Sequence, residues 1–226
     1  MRNQNLPWQK LVRHWHVFEK LGFDSIWHAD NYQRPSVPEA PFLEGWTLLA
    51  ALAVKSEKPR IGILVSSNTF RHPPLLAKQA VTVDHISNGR LELGIGIGWY
   101  KAEHERFGVP FPESPELVGR FEESVALIDE LLTQNITTFD GAYYTVNDAP
   151  FRPEPVQRPR PPLTLGAHAS SRRSLRSRIS SEVPYEFQRS AWRAAIRSIR
   201  GPCAPRERGG RGRCTGSGRN GASLTV

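Results

Sequence analysis

The sequence repeats one order of segments: a short apolar run, a loop of polar or glycine residues, and then a helix-like stretch. The apolar runs are Asp24–His28, Ile61–Ser66, Leu91–Ile97 and Leu163–Gly166. This alternation is typical of βαβ units, whose strands pair in a parallel sheet. Such units close into a (β/α)8 barrel or form an open doubly wound sheet. The sequence therefore predicts an α/β fold of one of these two types.

Four segments have the features of helices. In the first, Asn5 is a candidate N-cap, Pro7 suits the first turn and Gly22 ends the helix. The segment 116–134 carries a clear apolar stripe at steps of three and four residues. The remaining elements are helices over Gly45–Val54 and Pro73–Ile86, a hairpin over Thr137–Val146, and an extended connector over 150–162 with six prolines.

The formal net charge of +8 is unevenly distributed along the 226 residues. Residues 1–169 hold 17 basic and 19 acidic side chains, whereas residues 170–226 hold 13 basic and 3 acidic ones. The first part is slightly acidic, so nucleic acid is not expected as its partner. The second part is rich in Arg, Ser and Gly and predicts a largely disordered tail, with a short helix over Ala191–Arg200. A function of another class, in which this tail binds nucleic acid through phosphates, stays open.

Several classes of protein are excluded by what the sequence lacks. Its only cysteines, Cys203 and Cys214, lie in the tail, so no disulfide framework or cysteine-based zinc site is predicted. The histidines have no metal-ligand spacing, and no metal site is expected. No apolar run approaches the ~18 residues of a membrane span, and the N-terminus lacks the apolar stretch of a signal peptide. We therefore expect no membrane partner and a cytoplasmic location.

Three glycines, Gly94, Gly96 and Gly98, alternate along the end of one predicted strand. Because side chains alternate across a strand, these positions share one face. A row of glycines indicates that another group approaches the backbone closely. That group is either a helix packed on the sheet or a ligand. The spacing differs from the dinucleotide fingerprint Gly-x-Gly-x-x-Gly, so a Rossmann site is not predicted.

Two further predicted strands end in polar loops. His28 to Asn31 follows the first strand, and Ser66 to Pro74 follows the second. In barrels of this class, functional sites lie at the carboxyl ends of the strands. The Asp30 carboxylate is a candidate for orienting a cofactor ring or a proton, and the hydroxyls of the second loop are candidates for bonds to a ligand. The structural alternatives are a solvated loop and a helix cap with a Pro-rich turn.

Five segments occur in a specific order along the chain. They are Gly22–Trp27 with Asp30-Asn31, Ser67–Pro73, Ser87–Trp99, Glu103–Pro110 and the Phe139–Tyr144 hairpin. Together, from about Leu6 to His168, they resemble the luciferase-like monooxygenase family. The resemblance implies a TIM barrel and an oxidoreductase. It implies either an FMN-dependent monooxygenase that acts with oxygen on a small organic substrate, or an F420-dependent enzyme that transfers a hydride.

The resemblance also assigns roles to positions. Asp30-Asn31 stands where members carry Asp-His or His-His beside the isoalloxazine ring, and Asn31 departs from the histidine version. The Leu64-Val65 bond stands where the family has a non-prolyl cis peptide. The glycine row implies a backbone kept clear for a planar ring. The implied cofactor-binding residues are Asp30, Asn31, Leu64, Val65, Ser66, Gly96, Ile97 and Gly98, and Asp30 is also the candidate catalytic residue.

The chain is shorter than a complete barrel, which has about 250 residues. The second half of the barrel is expected after Ala169, where the basic tail begins. We therefore predict a partial TIM barrel, mainly its N-terminal half, over 1–169, and a tail over 170–226 produced by a reading-frame shift or a truncation. Open sheet edges favour a homodimer, and a non-catalytic partial barrel is the remaining alternative.

Overall fold

The structure is a computed structural model that describes residues 6–166 and the strand Tyr185–Phe187. The helices are α1 (Trp8–Lys20), α2 (Gly45–Lys55), α3 (Pro73–Ile86), α4 (Lys101–Phe107) and α5 (Ser114–Thr133). The strands are β1 (Ser25–His28), β2 (Arg60–Ile63), β3 (Ser66–Ser67), β4 (Leu91–Gly96), β5 (Ile136–Asp140), β6 (Thr145–Pro150), β7 (Leu163–Gly166) and β8 (Tyr185–Phe187).

Six strands form one parallel sheet. Their order is β1-β2-β4-β7-β8, and β3 also pairs with β4. The strands β5 and β6 form a separate antiparallel hairpin. Parallel pairing with helices between the strands confirms the predicted α/β fold. Among the described strands β1 and β8 each pair on one side only, and the expected homodimer stays a prediction.

Several predicted elements differ in detail from the structure, and the hairpin, for example, extends to Pro150, beyond its predicted end at Val146. The strand predicted over Ile61–Ser66 is interrupted: β2 ends at Ile63, the Leu64-Val65 peptide is cis, and β3 begins at Ser66. The cis bond lies where the family resemblance places it. Pro7 is the N-cap of α1 and not part of its first turn, while Asn5 lies outside the described residues.

The apolar face of the sheet is covered by helices. Leu91, Leu93 and Ile95 of β4 have no solvent exposure, and they belong to one core with the α5 residues Phe121 and Val125. The stripe predicted on α5 is therefore its buried face. Each such side chain contributes roughly 1.5–3 kcal/mol through burial. The opposite face of β4 carries Gly94 and Gly96, because side chains alternate across a strand.

Two buried carboxylates on helices hold the Pro-rich connector and the β5–β6 hairpin in place. Asp84 on α3 accepts hydrogen bonds from the amides of Val156 and Gln157, at 2.8 and 3.1 Å, and from the Gln157 side chain at 2.8 Å. Glu123 on α5 accepts the three amides of 142–144, at the turn between β5 and β6. The Pro-rich connector and the hairpin are thus anchored to the helices rather than loose.

Most of the predicted tail lies outside the described residues. Within 170–226 the structure describes Tyr185–Phe187, a strand parallel to β7, where the sequence predicted a largely disordered segment. The predicted helix over Ala191–Arg200, both cysteines and the basic surface for nucleic acid lie outside the described residues. In the described part, no helix is long and apolar enough to span a membrane, and no three His, Cys, Asp or Glu side chains gather as metal ligands.

Candidate active site

The carboxyl ends of β1, β3 and β4 meet at one edge of the sheet. The amide of Ser67, on β3, donates to the carboxylate of Asp30, which follows β1, at 2.8 Å. The amide of Asn68 donates to the carbonyl of Gly96, on β4, at 2.8 Å. Parallel strands place their carboxyl ends on the same side of the fold, which is where barrels of this class carry their sites. The structure therefore joins the polar and glycine-bearing strand ends that the sequence singled out.

The Asp30 carboxylate is a buried anion with a full set of partners. Arg71 donates to both of its oxygens, at 2.6 and 3.0 Å, and the two side chains are only 3% and 8% exposed. Burial lowers the pKa of Arg71, but the hydrogen bonds and charge of Asp30 outweigh it, so that pKa is raised. Glu44, the N-cap of α2, lies 3.4 Å from the same guanidinium. Asp30 thus anchors Ser67 and Arg71, and its catalytic role stays a prediction.

Asn31 is held by Glu103, a residue that was not among the predicted site residues. Its side-chain amide donates to Glu103 on α4 at 2.9 Å. The other Glu103 oxygen accepts the amides of Tyr32 and Gln33, at 2.7 and 2.9 Å. Glu103 has no solvent exposure. Because α4 has seven residues, its periodicity is too short to predict, and this inward carboxylate had no sequence feature beyond its place in the resemblance.

The glycines of β4 face the interruption between β2 and β3. A Cβ on Gly94 would lie 2.1 Å from the carbonyl oxygen of Ile63, and one on Gly96 would lie 2.3 Å from a methyl group of Val65. The close approach predicted from the glycine row is therefore made by the Leu64-Val65 segment. This differs from the implied reason for the row, a backbone left clear for a planar ring, because Val65 covers Gly96 on that face.

The hydroxyls of Ser66 and Ser67 point in different directions. Ser66 is fully buried, and its oxygen accepts the indole N–H of Trp46 at 3.1 Å, so its hydroxyl is turned away from the edge of the sheet. Ser67 lies on the opposite face, next to Gly98. Gly98 has φ of +94°, and a Cβ there would lie 3.4 Å from the Ser67 oxygen. Ile97 bonds through its amide to the carbonyl of Gly166 at 3.1 Å, which continues the sheet beyond β4.

Two hydroxyls connect this face to a buried histidine. The Ser67 and Thr69 oxygens are 2.8 Å apart, and Thr69 Oγ1 lies 2.6 Å from Nε2 of His104. The other ring nitrogen of His104 lies 2.9 Å from the carbonyl oxygen of Tyr100. His104 is 1% exposed and neighbours Glu103 on α4. Adjacent residues of one short helix therefore hold the loops after β1 and β3.

Aromatic side chains form the outer part of the same edge. Tyr32 stacks on Phe70 with ring centroids 4.5 Å apart, and Phe107 lies 5.1 Å from Tyr32. Burial raises the pKa of the Tyr32 hydroxyl above its ordinary value. Phe107 and Trp99 are about half and two thirds exposed. The edge therefore combines an apolar aromatic rim with an inner polar network.

The residues present fit one face of a planar ring system. Val65 is half-buried and lies over Gly96, and the Ser67 hydroxyl lies beside Gly98, two residues further along the chain from Gly96. A ring of the flavin type has apolar faces and hydrogen-bonding groups at its rim, which matches this arrangement. Asn31 and Asp30 lie at the neighbouring strand end. All eight predicted cofactor residues lie on or next to this edge, and their contact with a cofactor stays a prediction.

Comparison with known proteins gives the family. The family model described as luciferase-like monooxygenase matches residues 1–199. This match runs beyond His168, where the resemblance carried by the motifs stops. The boundary predicted at residue 169 between the partial barrel and the tail stays a prediction.

Two relatives show how much of the family's length is present. The F420-dependent glucose-6-phosphate dehydrogenase of Intrasporangium calvum is 36% identical over 156 residues, which are 66% of this chain and 46% of that protein. The FMNH(2)-dependent dimethylsulfone monooxygenase of Pseudomonas putida is 32% identical over 165 residues, 73% of this chain and 42% of that protein. The chain therefore spans about half the length of the curated relatives it matches.

Solved structures share the fold. The coenzyme F420-dependent tetrahydromethanopterin reductase of Methanopyrus kandleri aligns with a TM-score of 0.65 at 24% identity, over 79% of this chain and 52% of that one. An F420-dependent secondary alcohol dehydrogenase aligns with a TM-score of 0.64 at 22% identity, over 73% and 49%. The alignments confirm the prediction of a partial TIM barrel. With the family model matching most of its residues, the chain belongs to the luciferase-like monooxygenase family.

Proposed function

We propose that this protein is an oxidoreductase that binds FMN or F420 at the carboxyl edge of β1, β3 and β4 and acts on a small organic substrate. The observation that carries the proposal is the joining of these three strand ends, by the Ser67 amide bonded to Asp30 and the Asn68 amide bonded to the Gly96 carbonyl. Membership of the luciferase-like monooxygenase family supports it. Relatives named for each of the two cofactors match the chain at similar identity.

The residues of this edge make different contributions to cofactor binding. Val65 over Gly96 supplies an apolar surface for one face of the ring, and the Ser67 hydroxyl supplies a hydrogen bond at its rim. Asp30 and Glu103 keep the loops that carry these groups in place. When bound, reduced FMN supplies oxygen activation, whereas F420 supplies hydride transfer. The protein supplies position and polarity.

The choice between the two cofactors separates two candidate activities. An FMN-dependent monooxygenase is the first, and it is supported by the dimethylsulfone monooxygenase relative. An F420-dependent dehydrogenase or reductase is the second, and it is supported by the glucose-6-phosphate dehydrogenase relative, at slightly higher identity. Both proposals use the same residues at the carboxyl edge of β1, β3 and β4. A measurement of which cofactor binds distinguishes them.

A fluorescence titration tests the proposal. FMN and F420 are titrated separately with the full chain, and quenching of cofactor fluorescence is measured. Ser67→Leu, which fills the rim beside Gly98, is expected to abolish quenching. Ser67→Ala, which keeps the space open, is the matched control and is expected to lose only part of the affinity. No quenching of either cofactor at high micromolar chain concentration would refute binding by this chain.

A further inference from the structure

The protonation state of the His104 ring follows from its partners. Nδ1 lies 2.9 Å from the carbonyl oxygen of Tyr100. A carbonyl oxygen can only accept a hydrogen bond, so Nδ1 must carry a proton. In the neutral ring Nε2 is then unprotonated and accepts a hydrogen bond from Thr69 at 2.6 Å. The tautomer of His104 is thus fixed by its backbone contact.

This tautomer gives the two hydroxyls a direction. The Thr69 hydroxyl donates its hydrogen bond to Nε2 of His104. The Thr69 oxygen therefore accepts a hydrogen bond from the Ser67 hydroxyl at 2.8 Å. The lone pairs of the Ser67 oxygen remain for a ligand group, because Ser67 is only half-buried at this strand end. Ser67 is therefore an acceptor toward such a group while His104 is neutral. If Nε2 gains a proton, each bond in the chain reverses, and Ser67 becomes a donor.

We infer that Ser67, Thr69 and His104 form a path that carries one proton between the cofactor face and the buried imidazole. This inference rests on the proposed function, because the group that gives or takes the proton at Ser67 is the bound cofactor or its substrate. His104 acts through the two hydroxyls, and so it is a positioning residue that stores the proton.

The transfer balances at each step. A proton leaves the reacting group and binds the Ser67 oxygen, the Ser67 proton moves to the Thr69 oxygen, and the Thr69 proton moves to Nε2 of His104. Three bonds to hydrogen break and three form, and no electrons change hands. The reacting group loses one positive charge, and the ring becomes an imidazolium.

The surroundings of His104 favour this path over exchange with solvent. The ring is 1% exposed, and among the described residues Thr69 is the hydrogen-bond partner of Nε2. Phe70 and Phe111 lie 4.8 and 4.6 Å from the ring by centroid and help to keep water away from it. The charged groups on the surrounding elements include the buried Glu103, the Asp30–Arg71 pair and the exposed α4 residues Glu105 and Arg106. Glu103 is bonded to the loop at 31–33, and Asp30 neutralises Arg71.

The connection is tested first without cofactor. The full chain is labelled with 15N-histidine, and the Nε2 signal of His104 is assigned with His104→Gln and followed by NMR at fixed pH. Ser67→Ala is expected to shift this signal when Thr69 is present. It is expected to leave the signal unmoved in a Thr69→Val background and to shift it again in a Thr69→Ser background, because serine restores the hydroxyl. A shift of equal size in all three backgrounds, or in none, would overturn the inference.

The second measurement adds FMN or F420, oxidised and reduced, and records cofactor quenching together with the Nε2 signal. Reduction of the bound cofactor is expected to move the signal in the wild type and in Thr69→Ser but not in Thr69→Val. Quenching without any movement of the signal overturns the proton path and leaves the proposed function intact. Absence of quenching counts against the proposed function, and the cofactor-free comparison then decides on the path by itself.

Discussion

Substitution of Asp30 by Asn tests whether the buried ion pair with Arg71 stabilises the site. The amide keeps the size of the carboxylate and one acceptor for the Ser67 amide, but it removes the negative charge. Removal of one partner from a buried pair costs about 3–5 kcal/mol, because the other charge stays buried without compensation. The side chains are 3% and 8% exposed, and Glu44 at 3.4 Å compensates part of the charge. We therefore expect a loss of about 3 kcal/mol in the free energy of unfolding.

An exposed ion pair in the same chain provides the matched control. Arg120 and Glu116 lie one turn apart on α5, 2.7 Å from each other, with side chains 37% and 44% exposed. Such pairs contribute about 0.3–0.5 kcal/mol, so Glu116→Gln is expected to have little effect. Both variants are compared with the wild type by urea denaturation followed by tryptophan fluorescence. An Asp30→Asn loss no larger than that of Glu116→Gln would refute the reasoning.

Three further predictions concern other buried groups. Burial lowers the pKa of His28 from 6.5 to about 3, so below pH 6.5 the unfolded state binds a proton that the native state does not. The free energy of unfolding should then fall by about 1.4 kcal/mol per pH unit toward pH 3, and His28→Phe should remove this slope in urea denaturation at pH 7 and pH 5. Glu123→Gln should speed hydrogen exchange of the amides at 142–144 by about tenfold or more, because hydrogen bonds to a charged acceptor contribute about 1.5–3 kcal/mol. Unchanged exchange rates would contradict the anchoring of the hairpin by Glu123. Gly94→Ala places a Cβ against the Ile63 carbonyl and should destabilise the chain more than Gly22→Ala, which has open space and only a positive φ; equal losses in urea would contradict the packing of the bulge.

The order of strands and helices could be predicted because each long element carries its own periodicity. The helix Pro73–Ile86 is found with the predicted bounds, and the stripe on α5 is its buried face. The helix α4 could not be predicted, because seven residues hold less than two full turns of pattern. The break at Leu64-Val65 was available only from the family resemblance, since Ile63, Leu64 and Val65 are all apolar and none of them is a turn residue.

The glycine row of Gly94, Gly96 and Gly98 was predicted only in part from the sequence. Its spacing predicts a close approach to the backbone, and the structure contains one. The approaching groups are the Ile63 carbonyl and the Val65 side chain, and each lies 31 residues before the glycine that it contacts. Local sequence does not encode which strand lies next to which, because pairing is decided by the packing of the whole sheet.

The sequence by itself determined that this chain is built of βαβ units and that Asp30, Ser67 and Gly98 stand at the ends of strands. Only the tertiary structure decided that Asp30 is neutralised by Arg71, that Glu103 holds the loop of Asn31, and that a hydroxyl pair leads to a buried imidazole. Periodicity is a local property and can be read along the chain. Hydrogen bonds between residues tens of positions apart depend on the distances that folding creates, and so they are visible only once the strand ends have met.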